Sequence, residues 1–104
     1  MSQSLVVIFL SATQPAEVFE TTQGGLIEQA NEMAAHTRTI PGNVAIQDFD
    51  TAWTILTRDM KLAYHFTDVD AARRHVAGER GLTLHERTIL LSALDRLEKR
   101  SRSP

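Results

Sequence analysis

The chain has no cysteine among its 104 residues. That excludes a disulfide scaffold and any zinc site built on thiolates, and it fits a reducing compartment. Aromatic residues are few: one Trp, one Tyr and four Phe. Long apolar runs are also missing. The longest, Leu5-Val6-Val7-Ile8-Phe9-Leu10, falls far short of the roughly twenty residues that cross a bilayer. As a signal peptide it would lack a basic leading segment and the usual length of apolar core. A cytoplasmic location is therefore expected.

What is present suits one globular domain. Hydrophobic residues make up 42% and charged residues 23%, a balance that supports folding rather than disorder. The net charge of −2 conceals an asymmetry. Residues 1–70 hold three bases against nine acids, a net of −6, and residues 71–104 hold eight against four, a net of +4. Either each helix has a solvated charged face, or opposite ends of the molecule, or of two molecules, attract each other.

Residues 4–10 are rich in Val, Ile and Phe and read as a short buried strand or an extended arm. A lone strand must find a neighbour, either Val44-Ala45-Ile46 or a partner chain. Pro15 to Glu20 is compatible with a short helix with Pro15 in its first turn. Gln23-Gly24-Gly25 reads as a break. From Leu26, the spacing of Ile27, Ala30, Met33 and Ala34 predicts a helix, which the turn at Pro41-Gly42 closes.

Asp48 or Asp50 is placed to cap the next helix. Trp53, Leu56, Met60 and Ala63 recur at steps of three and four, widened by Ile55, Leu62, Tyr64 and Phe66, so Thr51 to Phe66 reads as one strongly apolar helix. Thr67 can cap a further helix to about Ala77, with Asp68 and Asp70 near its positive end, and Gly78 and Gly81 stop it. Thr83-Leu84-His85-Glu86 fits a capping box before Ile89, Leu90, Leu91, Ala93, Leu94 and Leu97. Lys99 and Arg100 suit the end of that helix, and residues 101–104 should fray. The predicted fold is mainly α: a single domain, 1–104, of about four helices with a short extended or β N-terminal arm over residues 1–14.

No constellation names a chemistry. His36, His65, His75 and His85 include no pair at helical ligand spacing and no HExxH. Ser92 lies in an apolar helix without a glycine elbow. The pairs Asp48/Asp50 and Asp68/Asp70 lack the rest of a calcium loop and read as helix-start acids. Gly24-Gly25 is followed by no Lys-Ser/Thr, so it is no phosphate loop. No catalytic residue, metal or cofactor is expected, and the chain reads as a non-enzyme.

Asp68 to Leu97, with Arg73, Arg74, Arg80 and Arg87 around a glycine turn, could be a helix-turn-helix of a small DNA-binding repressor. Two features oppose it: Ile89, Leu90, Leu91 and Leu94 dominate the would-be reading helix, and the overall charge is negative. A small-molecule pocket beside Trp53 is a fainter option. Protein association is the leading reading, because Trp, Tyr, Phe and Met are enriched at interfaces. Its candidate partner-binding residues are Val7, Phe9, Trp53, Leu56, Met60 and Tyr64; the competing reading places such residues in the core.

In size, cysteine-free helical plan, the Leu5–Leu10 arm and the Trp53–Phe66 helix, the outline resembles the LasR-specific quorum-sensing antiactivators of Pseudomonas. The resemblance implies a cytoplasmic homodimer without cofactor. It would bind the ligand-binding domain of a LuxR-type transcription factor and block that factor's dimerisation.

Overall fold

A computed structural model describes residues 4–37 and 45–102. Among these residues are four helices and a three-stranded antiparallel sheet. The mainly α, all-helical expectation is therefore corrected to a mixed α/β fold. In chain order the elements are β1 (Ser4–Leu10), β2 (Glu17–Thr22), α1 (Gln23–Thr37), α2 (Phe49–Leu56), β3 (Leu62–Phe66), α3 (Val69–Gly78) and α4 (Leu84–Arg102).

The Leu5–Leu10 run is not an arm. It is the central strand, with order β2-β1-β3 and antiparallel pairing on both sides. Its neighbours are thus neither a partner chain nor Ala45-Ile46, which form no strand, while Val44 lies outside the described residues. The run is apolar without alternation because both faces of the sheet are covered. Leu5, Val7 and Phe9 point to one side and pack with Leu26, Ala30, Ala52 and Leu56 of α1 and α2. Val6, Ile8 and Leu10 point to the other and pack with Ala72, Val76, Leu90, Leu94 and Leu97 of α3 and α4. The period-two alternation of a strand thus feeds two cores from one segment. Each large side chain fully buried there is worth about 1.5–3 kcal/mol.

Two further segments depart from the helical expectation. Pro15 to Glu20 is no helix, since Glu17–Thr22 forms a hairpin with β1 in which Val7 faces Phe19 and Ile8 faces Val18. Gln23-Gly24-Gly25 is no break, since β2 runs directly into α1. There the Thr22 hydroxyl accepts from Gly25 N–H at 3.0 Å, as an N-cap does. A side chain at Gly25 would collide with the Thr21 hydroxyl, so the glycine permits the strand-to-helix corner.

The local signals at the other helix starts are met. Asp48 Oδ2 accepts from Thr51 N–H at 2.8 Å and opens α2. Asp68, rather than Thr67, opens α3, accepting from Ala71 N–H at 2.7 Å. At α4, Glu86 N–H donates to the Thr83 hydroxyl at 3.1 Å and Thr83 N–H donates to Glu86 at 2.9 Å, the reciprocal pair of a capping box. Pro41-Gly42 lies outside the described residues. Among the described residues no helix is long and apolar enough to cross a membrane.

Candidate functional site

The expected Thr51–Phe66 helix is two elements. Thr57 ends α2: its N–H and its hydroxyl both donate to Trp53 O, at 3.0 and 2.7 Å. Met60 N–H then bonds Thr57 O in a turn, and Lys61 N–H bonds Leu10 O at 2.8 Å, bringing the chain onto the sheet. From there Leu62, Tyr64 and Phe66 face one side and Ala63 and His65 the other, opposite Leu10, Ile8, Val6, Phe9 and Val7 respectively.

The alternation gives β3 an aromatic shoulder on each face. On the α2 side, the His65 ring meets Trp53 edge-on at 4.8 Å and Phe49 at 5.2 Å. On the α3 side, the His75 ring lies 4.3 Å from Tyr64 and 5.4 Å from Phe66. Contacts of this geometry add about 0.5–1.5 kcal/mol each beyond burial. Between the shoulders, the outer backbone edge of β3 pairs with no strand among the described residues. No residue from Leu62 to Phe66 is an acid, a Lys or an Arg. The opposite edge differs, because β2 presents the exposed acids Glu17 and Glu20. Charges on an edge discourage pairing with another chain, so β2 is guarded, whereas β3 carries no such guard among the described residues.

Of the six residues expected to bind a partner, three are internal. Val7 is 0%, Phe9 3% and Leu56 2% exposed, so their apolar surface is spent on the chain's own core. Trp53 and Tyr64 both reach β3, but on opposite faces of the sheet rather than on one helix. Met60 and Leu56 help to line a cleft of about 420 Å³ with Ser11, Met33, Ile55 and Asp59, away from the Trp53–His65 contact.

Sequence reading missed the cluster on the α3 side. Tyr64 Oη donates to Glu79 Oε2 at 2.7 Å, and Gly81 N–H donates to Glu79 Oε1 at 2.9 Å. His75 Nε2 lies 3.2 Å from the same Oε2, out of hydrogen-bond alignment. The bond from Tyr64, then that from Gly81, holds the Glu79 carboxyl below its usual range. The bond to Glu79, with burial, pushes the Tyr64 hydroxyl up. Both shifts lead away from neutrality, whereas a general acid or base works best near the operating pH. The i,i+4 spacing of His75 and Glu79 could have flagged the cluster, had acids been paired with histidines rather than histidines with each other.

The arginines of the DNA-reading hypothesis are partly committed. Arg73 bridges α3 to α4, with Asp95 at 2.7 Å, Glu98 at 3.0 Å and Asp70 at 3.1 Å; the bonds to Glu98 and then Asp95 push its pKa up further. Arg87 donates to the backbone carbonyls of Val76 and Glu79 and so closes the end of α3. Arg74 and Arg80 are exposed. No group of three metal-ligating side chains occurs among the described residues.

The chain matches no family model, no curated protein and no solved structure. Of the features behind the antiactivator resemblance, the N-terminal arm is the central strand of a sheet, the Trp53–Phe66 helix is the α2–turn–β3 unit, and the helical plan is a mixed one of four helices and three strands among the described residues.

Proposed function

We propose that this chain is a protein-binding domain without catalytic activity, and that it works by taking an extended segment of another polypeptide onto the outer edge of β3. The observation that carries the reading is the contrast between the two edges of one sheet. β2 presents Glu17 and Glu20 to solvent, while Leu62–Phe66 has no charged side chain and an outer edge that pairs with no strand among the described residues. Strand addition supplies main-chain hydrogen bonds, and flanking side chains select the sequence that fits. Here the flanks are Trp53 with His65 on one face and Tyr64 with Phe66 and His75 on the other. The matching segment is short and apolar to aromatic, because Leu62–Phe66 carries no acid, Lys or Arg and the charges that flank it are engaged within the chain, Lys61 with Glu86 and Asp68 with Ala71 N–H. Such a domain regulates its target by occupying an edge that the target uses for its own assembly.

Fluorescence anisotropy of an end-labelled peptide copying Met60–Asp68, titrated with the intact protein, tests the reading. Saturable binding is expected, lost when Tyr64 of the peptide is replaced by Pro, which removes a ladder donor. Equal behaviour of the two peptides would remove the basis for strand addition.

A further inference from the structure

We infer that the groove between β2 and the second half of α4 is a binding site for an anionic amphiphile, an apolar chain that ends in a carboxylate. The groove lies at the edge of the sheet opposite β3, so it stands or falls independently of strand addition there. It consists of two adjoining hollows of about 350 and 430 Å³ that share Val18, Phe19, Leu97 and Arg100. Volumes of this size are typical of small-molecule sites. Ala93 and Arg96 line the first hollow and Glu20 lines the second.

Strand alternation decides which side chains of β2 meet α4. Val18 pairs with Ile8 and Glu20 with Val6, and Ile8 and Val6 belong to the core beneath α3 and α4. Val18 and Glu20 therefore point to that side. Glu17 pairs with Phe9, which packs with α1 and α2, so its carboxylate lies toward the other face of the sheet. Glu20 is engaged in a contact of its own. On the helix, Ala93 and Leu97 lie one turn apart, and so do Arg96 and Arg100. The floor is thus apolar, with Leu97 buried and Val18 and Ala93 half-buried, and the two exposed guanidinium groups stand along its rim.

α4 sorts its charges by face. Asp95 and Glu98 turn to α3, where Arg73 holds both. Arg96 has Ser92, Ala93, Lys99 and Arg100 at steps of three and four, and none of them is acidic. Among the described residues neither Arg96 nor Arg100 has an ion-pair partner. Two like charges one turn apart repel each other, and an anion between them removes that repulsion. Guanidinium groups take carboxylates through paired hydrogen bonds. The floor gives a bare inorganic anion nothing to hold, whereas an apolar chain covers the surface of Val18 and Ala93 that the protein leaves in contact with water. From Ala93 to Arg100 the groove runs roughly 10 Å along the helix, which suits a chain of medium length.

Titration of sodium decanoate, kept below its micelle concentration, into the isotope-labelled intact protein tests the inference by amide NMR shifts. The amides of Val18, Leu97 and Arg100 are expected to move saturably, and those of β3 to stay in place. Butyrate, which lacks the chain, should bind at least about tenfold more weakly. Decyltrimethylammonium, which has the chain and the opposite charge, should do the same. Arg96→Gln combined with Arg100→Gln should weaken decanoate at least about tenfold, through loss of hydrogen bonds to a charged group. Arg74→Gln combined with Arg80→Gln removes the same charge from exposed positions on α3 and beyond it, and should leave the affinity unchanged. The comparison of ligands on the wild type does not depend on any variant folding. Equal binding of decanoate and decyltrimethylammonium would reduce the groove to an apolar patch and overturn the inference. Equal binding of decanoate and inorganic phosphate would overturn it too, as would shifts that map away from the groove, the absence of saturable binding, or equal losses in the two double variants.

Discussion

Asn31 holds Ile46 by both of its backbone groups. The side-chain carbonyl accepts from Ile46 N–H at 2.8 Å and the side-chain amide donates to Ile46 O at 3.1 Å. A second amide contact reaches Ile27 O at 3.1 Å, within α1 itself. The amide thus behaves as a short piece of strand, and it seats Ile46, 5% exposed, in the core beside Leu26 and Ala52. Asn31→Ala should cost about 1–3 kcal/mol in denaturant unfolding, since it strips partners from two backbone groups. Loss comparable to an exposed substitution such as Glu28→Ala would show that the Ile46 segment is held by its side chain alone.

The capping box at α4 predicts a smaller effect. Thr83→Ala should lower stability by about 1 kcal/mol, and Leu84→Ala, at 78% exposure, by less than about 0.5 kcal/mol. Leu94→Ala in the same helix removes a side chain that is 0% exposed and should cost about 2–5 kcal/mol. Urea titrations of the three variants would fail this picture if Thr83→Ala ranked with Leu94→Ala.

Local signals of this kind were legible in the sequence, and the nonlocal ones were not. Thr83 and Glu86, or Asp48 and Thr51, make their bonds within one turn, so spacing alone reveals them. Leu5–Leu10 could be read as a strand because six consecutive apolar residues suit a segment buried on both faces. β3 could not. Trp53, Leu56, Met60 and Ala63 fall on a helical period by coincidence, and what makes Leu62–Phe66 a strand is its pairing with Val6–Leu10, more than fifty residues earlier. β2 was hidden in the same way, because Pro15 mimics a helix start and only the hairpin with β1 draws Glu17–Thr22 out straight. Of the candidate binding residues, Trp53 does lie on a helix, α2, whereas Tyr64 lies on β3. Val7, Phe9 and Leu56 went to the core.

Acid should weaken the contact between β3 and α3. Glu79 has its carboxyl depressed below the usual 4.5 by Tyr64 and Gly81, so its contribution is complete above that value and is lost as pH falls through the lower folded value. Tyr64 is raised above 10.0 by the same bond, so its contribution is complete below 10.0 and is lost as pH rises through the folded value. Thermal unfolding followed against pH should show a shallower acid limb for Glu79→Gln than for the wild type. Asp48 and Glu86, also depressed by their cap bonds, should keep part of the slope. Superimposable acid limbs would contradict the role given to Glu79.

Arg73 separates a structural role from a nucleic-acid one. Its contacts with Asp95 and Glu98 tie α3 to α4. Arg73→Ala should therefore lower stability, and by less at high salt because the acids are partly solvated. Duplex DNA in a low-salt gel shift should show no binding to the wild type. A shifted band that disappears with Arg74→Ala and Arg80→Ala would instead favour the repressor reading.

The most direct measurement on the open edge is amide hydrogen exchange, residue by residue, along Leu62–Phe66. In a strand paired on one side, alternate amides are bonded inward to β1 and the remainder face outward. Strand addition predicts that the outward set exchanges fast in the protein alone and slowly once the Met60–Asp68 peptide is bound. The inward set should stay protected in both states. Fast exchange of the outward set both with and without the Met60–Asp68 peptide would contradict the account.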